Sequence, residues 1–377
     1  MYIHEQSDWP GFTWDKTRVD EKLKSIYLAA GYLRGRLSLI GLEDQMTTVA
    51  EALSREVLGS SEIEGVELNT DQVRSSVARK LGVHIPHEKP STHYIDGIVE
   101  MTYDAQVRYD APLTKERLFG WHNCLFPTGW SGNVHIDVAR YRTTTMKVVS
   151  GIMGREKVHY EAPSPERLEK EMSLFLDWFN SDRDKGVIKS ALAHFWFVSI
   201  HPFDDGNGRI GRAIADMALS RFEGSGRRFY SISEQIKKEK KGYYQALEHA
   251  QKGTCDLTEW LMWYLDTILH AIKRSKDILS KVLNKAFFWQ THAQTTISER
   301  QKLVLNRFWD GWRAKLTVKN WAKAADVSAD TAARDIKDLV SKGVLVPQKT
   351  TVRDVFYGIR YRDQEVFVPL PEENHDA

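Results

Sequence analysis

The stretch His201-Pro202-Phe203-Asp204-Asp205-Gly206-Asn207-Gly208-Arg209-Ile210-Gly211-Arg212 decides how this chain is read. Upstream of it, Leu192, Phe195, Trp196 and Ile200 recur near the helical period, which predicts a helix over 187–200 that delivers His201 at its C-terminal end. Pro202 and the Gly206-Asn207-Gly208 tract bar continuation, so 204–208 is expected to be a tight loop whose glycines are free for positive φ and close backbone approach. Successive N–H groups in such a loop form an anion-binding nest. A second helix predicted from Arg209 to Phe222 adds the dipole and free N–H groups of its N-terminus at the same spot. The junction reads as a phosphate cradle.

The side chains around it suit one kind of chemistry. Asp205 offers the oxygen ligand that Mg²⁺ shares with nucleotide phosphates. Arg209 and Arg212 are three residues apart, hence on one helical face, and guanidinium forks fit phosphate oxygens. His201, with an unperturbed pKa of about 6.5, can accept a hydroxyl proton near neutral pH. A base, a cation, an anion hole and a clamp together describe nucleotidyl transfer to a hydroxyl.

The same residues resemble, position for position, the signature of the Fic family: His, Phe, an acidic residue, Gly-Asn-Gly-Arg and a final Arg. The resemblance implies transfer of AMP from ATP to a Ser, Thr or Tyr hydroxyl of a protein, the chain itself included. It assigns His201 as the base and Asp205 as the Mg²⁺ ligand. Gly206, Asn207 and Gly208 would hold the phosphate oxygens, Arg209 the β-phosphate region and Arg212 the γ-phosphate. Phe203 would anchor the loop in the core.

A second segment, L-S-R-E-V-L-G-S-S-E-I-E-G over 53–65, places Ser60 and Glu64 four apart and so on one face of a helix, with Gly65 as its stop. It resembles the inhibitory motif of Fic proteins, in which the glutamate pairs with the second arginine of the signature. Carried over, Glu64 pairs with Arg212 and keeps ATP out of its productive position. The Trp9-Pro10, Phe12-Thr13-Trp14-Asp15 and Arg74-Ser75-Ser76 stretches also look like the N-terminal domain often fused to such enzymes.

Composition fits an ordinary globular protein: 377 residues, 42% apolar and 28% charged, enough for two or three domains. A net charge of +2 gives no global excess that would point to nucleic acid. Cys124 and Cys255 stand far apart without a C-x-x-C partner, so neither a zinc site nor a disulfide framework is indicated. No leader-like N-terminus and no long apolar window is present, so a cytoplasmic protein without a membrane partner is expected.

Along the rest of the chain, Leu23, Ile26, Tyr27, Ala30 and Leu33 trace one helical stripe and Val49, Leu53 and Val57 another, with Gly41 to Asp44 between them. Two prolines in Gly82 to Pro90 mark a link into the catalytic domain. Helices are predicted at 95–109 and 114–125. Thr143 to Val149 and Lys157 to Tyr160 read as strands around a turn at Gly151 to Gly154. The family resemblance makes this hairpin the flap that aligns a target segment by strand addition, with Val158, His159 and Tyr160 facing it. Ser164-Pro165 opens a helix to Asn180. Helices are also read over Lys241 to Gln251, where the resemblance places Tyr243 or Tyr244 beside adenine, and over Leu257 to Leu283.

The last ninety residues or so read as a separate module. Helices at 300–308, 317–325 and 331–342, with Ser328 as an N-cap and Gly343 as a stop, precede strands at 344–346 and 355–359. That order resembles a winged helix domain. Arg334, Lys337 and Lys342 on its third helix are matched by Asp330, Asp335 and Asp338, a poor balance for DNA, although Lys349 and Arg353 sit where a wing touches backbone.

The expected fold is mainly α: a Fic-type helical bundle with a small β-hairpin flap, plus a C-terminal winged helix-turn-helix domain. The expected division is 1–85, an N-terminal helical region with the inhibitory helix; 86–288, the catalytic domain; and 289–377, the winged helix domain. The expected activity is autoinhibited AMPylation, in a homodimer by family habit. Two alternatives stand beside it: removal of AMP by the same site, and a nucleotide-sensing transcription regulator that binds DNA through its C-terminal module.

Overall fold

The computed structural model describes residues 1–39, 41–85, 88–151, 157–181, 186–309, 314–351, 354–361 and 364–366. These form a mainly α-helical chain. Five helices come first: α1 (Lys16–Leu37), α2 (Leu42–Ile63), α3 (Thr70–Leu81), α4 (His93–Val107) and α5 (Lys115–Leu125). Two small antiparallel hairpins follow, β1 (Trp130–Ser131) with β2 (Val134–His135), then β3 (Lys147–Ser150) with β4 (Lys157–Glu161). Next are α6 (Leu168–Asn180), α7 (Gly186–Ile200), α8 (Asn207–Glu223), α9 (Ile232–Lys238), α10 (Lys240–Gln251) and α11 (Thr258–Thr291). The chain closes with α12 (Glu299–Trp309), α13 (Val318–Ala325), α14 (Ala329–Ser341) and an antiparallel sheet in the order β5 (Leu345–Thr351), β6 (Asp354–Tyr361), β7 (Gln364–Val366).

Two compact units result, one of residues 1–37 and 45–276, the other of 38–44 and 277–377. The sequence division after residue 85 lies inside the first unit, and the second unit begins within α11. In the first, α7 is buried along its length because most of its residues are apolar, as a helix at the centre of a bundle must be. The neighbouring α8 comes close because Gly211 has no side chain: a Cβ there would lie 2.8 Å from Val198 Cγ1. Leu53 and Val57 of α2, Val73 and Val77 of α3, Ile98 of α4 and Leu118 of α5 complete this core. The second unit has its own, built on Phe288, Leu305, Trp321, Ile336, Leu339 and Ile359.

Local rules explain most helix starts. Asn69, Thr92, Thr114, Ser231, Thr317 and Ser328 each accept a hydrogen bond from a backbone N–H two or three residues into the helix they open. Ser164 does not; Pro165 instead begins a 3₁₀ turn that leads into α6. The stripe on α1 is Val19, Leu23, Ile26, Leu33 and Leu37, while Tyr27, expected inside, is 42% exposed. α2 begins at Leu42, inside the expected break, and α11 runs eight residues past its expected end at Leu283. The flap turn at Ile152 to Gly154 and the wing residue Arg353 lie outside the described residues, as do Pro86 and His87 of the expected link.

Candidate functional site

The loop between α7 and α8 is held from several sides. His201 leaves α7 with φ +52, and its carbonyl accepts from Arg142 Nε at 2.8 Å. Arg142 is buried and also donates to the carbonyls of Thr144 (2.7 Å) and Pro163 (2.5 Å), so one guanidinium ties the loop to the segment entering β3. Phe203 is fully buried and stacks on His122 with ring centres 4.3 Å apart, the anchor the sequence predicts. Gly206 sits at φ +81, and a Cβ there would lie 2.9 Å from Phe126 Cε2, so both conformation and space require glycine.

Asn207 departs from expectation. Its side chain accepts from Phe203 N at 3.0 Å and donates to Phe203 O at 2.8 Å, so the amide closes the loop and is not aimed at a phosphate. Only its backbone N–H remains for the cradle.

His201 Nδ1 lies 3.1 Å from Val198 O, so this nitrogen carries the proton and Nε2 presents a lone pair. Burial lowers the pKa of this ring, and the Val198 hydrogen bond opposes that only in part, so the imidazole is neutral near pH 7 and ready to take a proton. Asp205 accepts from Ser131 Oγ on one carboxylate oxygen and from Gly206 N at 2.6 Å on the other. Each oxygen keeps a free lone pair. A single carboxylate of this kind fits Mg²⁺, which completes its shell with water and substrate phosphate. Among the described residues no cluster of three or more His, Cys, Asp or Glu forms an all-protein metal site. His122, missed in the sequence, accepts from Ala139 N at Nδ1 (3.1 Å) and donates from Nε2 to Asp205 O (3.1 Å). Burial pushes its pKa down to about 4, so it holds the loop as a neutral ring.

Both signature arginines are buried. Arg209 donates to Tyr94 Oη at 3.2 Å and lies over the Phe126 ring at 5.0 Å. Arg212 donates from Nε to Ser60 Oγ (2.9 Å), and from Nη2 to Ser60 O (2.9 Å) and to Glu64 Oε1 (2.7 Å). Among the described residues its Nη1 has no acceptor. The Glu64 carboxylate rests directly on the first turn of α8, where a Cβ built on Gly208 would collide with it. An anion of the protein itself therefore sits in the anion cradle.

The flanking predictions fare unevenly. Tyr243 is buried, and its hydroxyl bonds His194 Nε2 at 2.9 Å inside a cluster with Trp260 and Trp263. It is a core residue. Tyr244 is 41% exposed and donates to Ile63 O at 3.3 Å, so it alone of the two offers a free ring face. In the flap, Val158 is exposed and His159 bridges Glu248 Oε2 (2.8 Å) and Ser150 Oγ (2.5 Å). Tyr160, expected to face a target, is fully buried and donates to Ser199 O at 2.8 Å. An irregularity in the strand explains this: regular alternation would put residues 158 and 160 on one face, but the pairing shifts between Val148 and Val149, opposite Tyr160 and Val158.

Sequence reasoning also missed Glu56. It is buried on α2 and accepts from Ser231 Oγ (2.8 Å) and Ser233 N (3.1 Å) at the start of α9. Burial first, then the neighbouring Asp216 carboxylate, push its pKa up to about 7. Asp216 is itself paired with buried Arg228. These partners lie far apart in the chain, and no local signal announces them.

With this geometry in hand, the relatives are informative. The Fic/DOC family matches residues 112–219, and a domain of unknown function, DUF4172, matches residues 2–83. A protein adenylyltransferase Fic of Nematostella vectensis is 27% identical over 214 residues, 54% of this chain and 44% of its own. A uridine 5'-monophosphate transferase of Xanthomonas campestris pv. campestris is 33% identical over 119 residues, 29% of this chain and 22% of its own. The chain thus spans less than half the length of these two relatives. A Fic family protein of Desulfovibrio desulfuricans G20 has the same fold, with a TM-score of 0.57 at 18% identity over 94% of this chain and 99% of the other. No helix among the described residues is long and apolar enough to cross a membrane.

Proposed function

The chain carries a Fic/DOC family domain at residues 112–219, and on that premise we propose that it is an autoinhibited protein adenylyltransferase, moving AMP from ATP to a Ser, Thr or Tyr hydroxyl of a protein, itself included. The hydroxyl oxygen attacks the α-phosphorus and forms the new O–P bond; the bond from that phosphorus to the β-bridging oxygen breaks, and pyrophosphate leaves. His201 Nε2 takes the hydroxyl proton. The backbone N–H groups of 206–208 and the N-terminus of α8 stabilise the phosphate charge, and Arg209 and Arg212 hold the departing diphosphate. Asp205 would hold Mg²⁺, whose charge neutralises the phosphate oxygens.

The observation that carries the inhibitory half is the 2.7 Å pair between Glu64 and Arg212, with the same carboxylate resting on Gly208. While Glu64 sits there, the arginine and the turn meant for phosphate are taken. Transfer of label from α-labelled ATP in a cell lysate tests the reading. Label is expected with Glu64→Gly and is lost in the Glu64→Gly, His201→Ala double variant. No label in any lane overturns it, and label from UTP alone would make the chain a uridylyltransferase instead.

A second reading concerns residues 289–377. Two of the three aspartates on α14 that weighed against DNA are engaged internally: Asp335 pairs with Arg300 (2.7 Å), and Asp338 with Lys342 (2.6 Å) and Gln301 (2.9 Å). Arg334 and Lys337 of α14 and Lys319 and Lys323 of α13 are exposed, with no acidic partner among the described residues. This supports backbone contact with duplex DNA by a winged helix. A mobility shift whose salt dependence weakens by about two phosphates' worth in the Arg334→Ala, Lys337→Ala variant is expected; no shift at low salt removes the reading.

A further inference from the structure

The N-terminal region that carries Glu64 reaches the catalytic loop at a second place, through residues 2–13. These run as a strap. A 3₁₀ turn over Ile3–Glu5 opens it, with Tyr2 N donating to Glu5 Oε2 at 2.6 Å and Ile3 fully buried. Arg167 donates to His4 O at 3.1 Å and to Glu171 Oε1 at 2.5 Å, and Glu171 takes the Trp9 indole N–H at 2.9 Å. Farther along, Thr13 N donates to Cys255 O (2.9 Å), and Thr13 O accepts from Leu257 N (2.8 Å). The strap is fixed along its length, and the side chain of His4 is buried beneath it.

What His4 meets is the flap strand. Its Nδ1 lies 3.1 Å from Tyr160 Oη on β4, and the Tyr160 hydroxyl donates to Ser199 O at 2.8 Å. A hydroxyl has one proton to give. Since Ser199 receives it, the Tyr160 oxygen accepts from His4 Nδ1–H. Burial first, then the Arg167 guanidinium, lower the His4 pKa, so the ring is neutral near pH 7 with its one proton on Nδ1. Tyr2 closes over the pair, its ring edge-on to Tyr160 at 5.2 Å and stacked on His4 at 6.1 Å. Ser199 belongs to the last turn of α7, whose carbonyls have no donor within the helix. Two neighbouring carbonyls of that turn are used alike: Val198 O takes the ring of His201, and Ser199 O takes Tyr160. The base and the flap strand therefore hang from adjacent peptide groups.

An apolar side chain in place of His4 would fill the space without the cost of burying a polar ring. A buried donor facing one acceptor instead selects a single position for Tyr160, and so for β4, against α7. We propose that the N-terminal strap positions the acceptor side of the reaction: His4, a positioning residue acting through Tyr160, sets the distance of β4 from His201 and hence that of a target hydroxyl whose segment pairs with β4. The inference rests on the transferase reading above and on strand addition at the flap. The N-terminal region then acts on both substrates, on ATP through Glu64 and on the target through His4.

The first test needs no nucleotide. It is hydrogen exchange of the full chain, read over residues 157–162 and, as a control, over 207–212. His4→Ala should speed exchange at 157–162 about fivefold and leave 207–212 unchanged, and His4→Asn, whose side-chain N–H takes the place of Nδ1, should restore the original rate. The second is label transfer from saturating α-labelled ATP to lysate proteins in a Glu64→Gly background. Adding His4→Ala or Tyr160→Phe should cut transfer about tenfold with ATP affinity unchanged, and His4→Asn should return it. Unchanged exchange at 157–162, undiminished transfer with His4→Ala, a loss of transfer explained by weaker ATP binding, or an Asn variant as impaired as the Ala variant would each overturn the proposal. No label from Glu64→Gly alone would overturn the transferase reading and the acceptor role of His4 with it.

Discussion

Helix α2 and the residue that follows it supply carboxylates to the starts of two other helices, and the two glutamates fare differently. Glu56 meets Ser231 and Ser233 at the start of α9, and Glu64 meets Arg212 and Gly208 at the start of α8. Both place an anion where helix N–H groups and dipole favour one. Glu56 is sealed at 3% exposure, and Gly59 beside it lets the α2 backbone close on α9, where a Cβ would lie 2.7 Å from Glu234 N. Glu64 follows the last residue of α2 and keeps 32% of its side chain in solvent. The first is an anchor; the second is a plug that can leave. Ser60, between them, bonds Arg212 with side chain and carbonyl and so ties the anchor's helix to the plug's partner.

The sharpest way to break this contrast is to remove each carboxylate in turn. Glu64→Gly should raise label transfer by about 10- to 100-fold, the range of a typical coupling between sites. Its effect on stability should be small, because water can enter where the exposed carboxylate was. Glu56→Ala leaves the Ser231 hydroxyl and the Ser233 N–H without an acceptor inside the protein, at a cost of about 2 kcal/mol, or about 4–8 °C in Tm. Calorimetry beside the transfer assay separates them. If Glu56→Ala left Tm unchanged, or Glu64→Gly lowered it further than Glu56→Ala does, the anchor and plug assignments would be reversed.

What the sequence disclosed and what it hid follow the same physical division. The junction at 201–212 was legible because proline, glycine and charge occupy adjacent positions, so α8 starts two residues before its expected place and α7 ends on it. The Glu64 partner was legible only through the family resemblance. Asn207, Tyr160 and Tyr243 were misjudged because residue type does not fix which way a polar side chain turns: each found its partner in the interior. Glu56 and Arg142 were invisible because their partners are 175 and 59 residues away. The strands β1, β2 and β7 are too short, at two or three residues, to show a period.

The smallest effect is also the most specific to the sealed glutamate. Glu56 titrates at about 7 in the folded protein against an ordinary value of 4.5. Between those values the folded chain keeps a proton that the unfolded chain has released, so this group's contribution to stability declines as pH rises through that window and is level above it. Glu56→Gln keeps an acceptor for Ser231 and Ser233 but has no proton to lose. The Tm of the unmodified chain measured against that of Glu56→Gln should therefore fall steadily from about pH 4.5 to about pH 7 and then stay constant. A difference that does not change with pH would mean that water reaches Glu56 as it reaches Glu64, and α2 would then carry two plugs and no anchor.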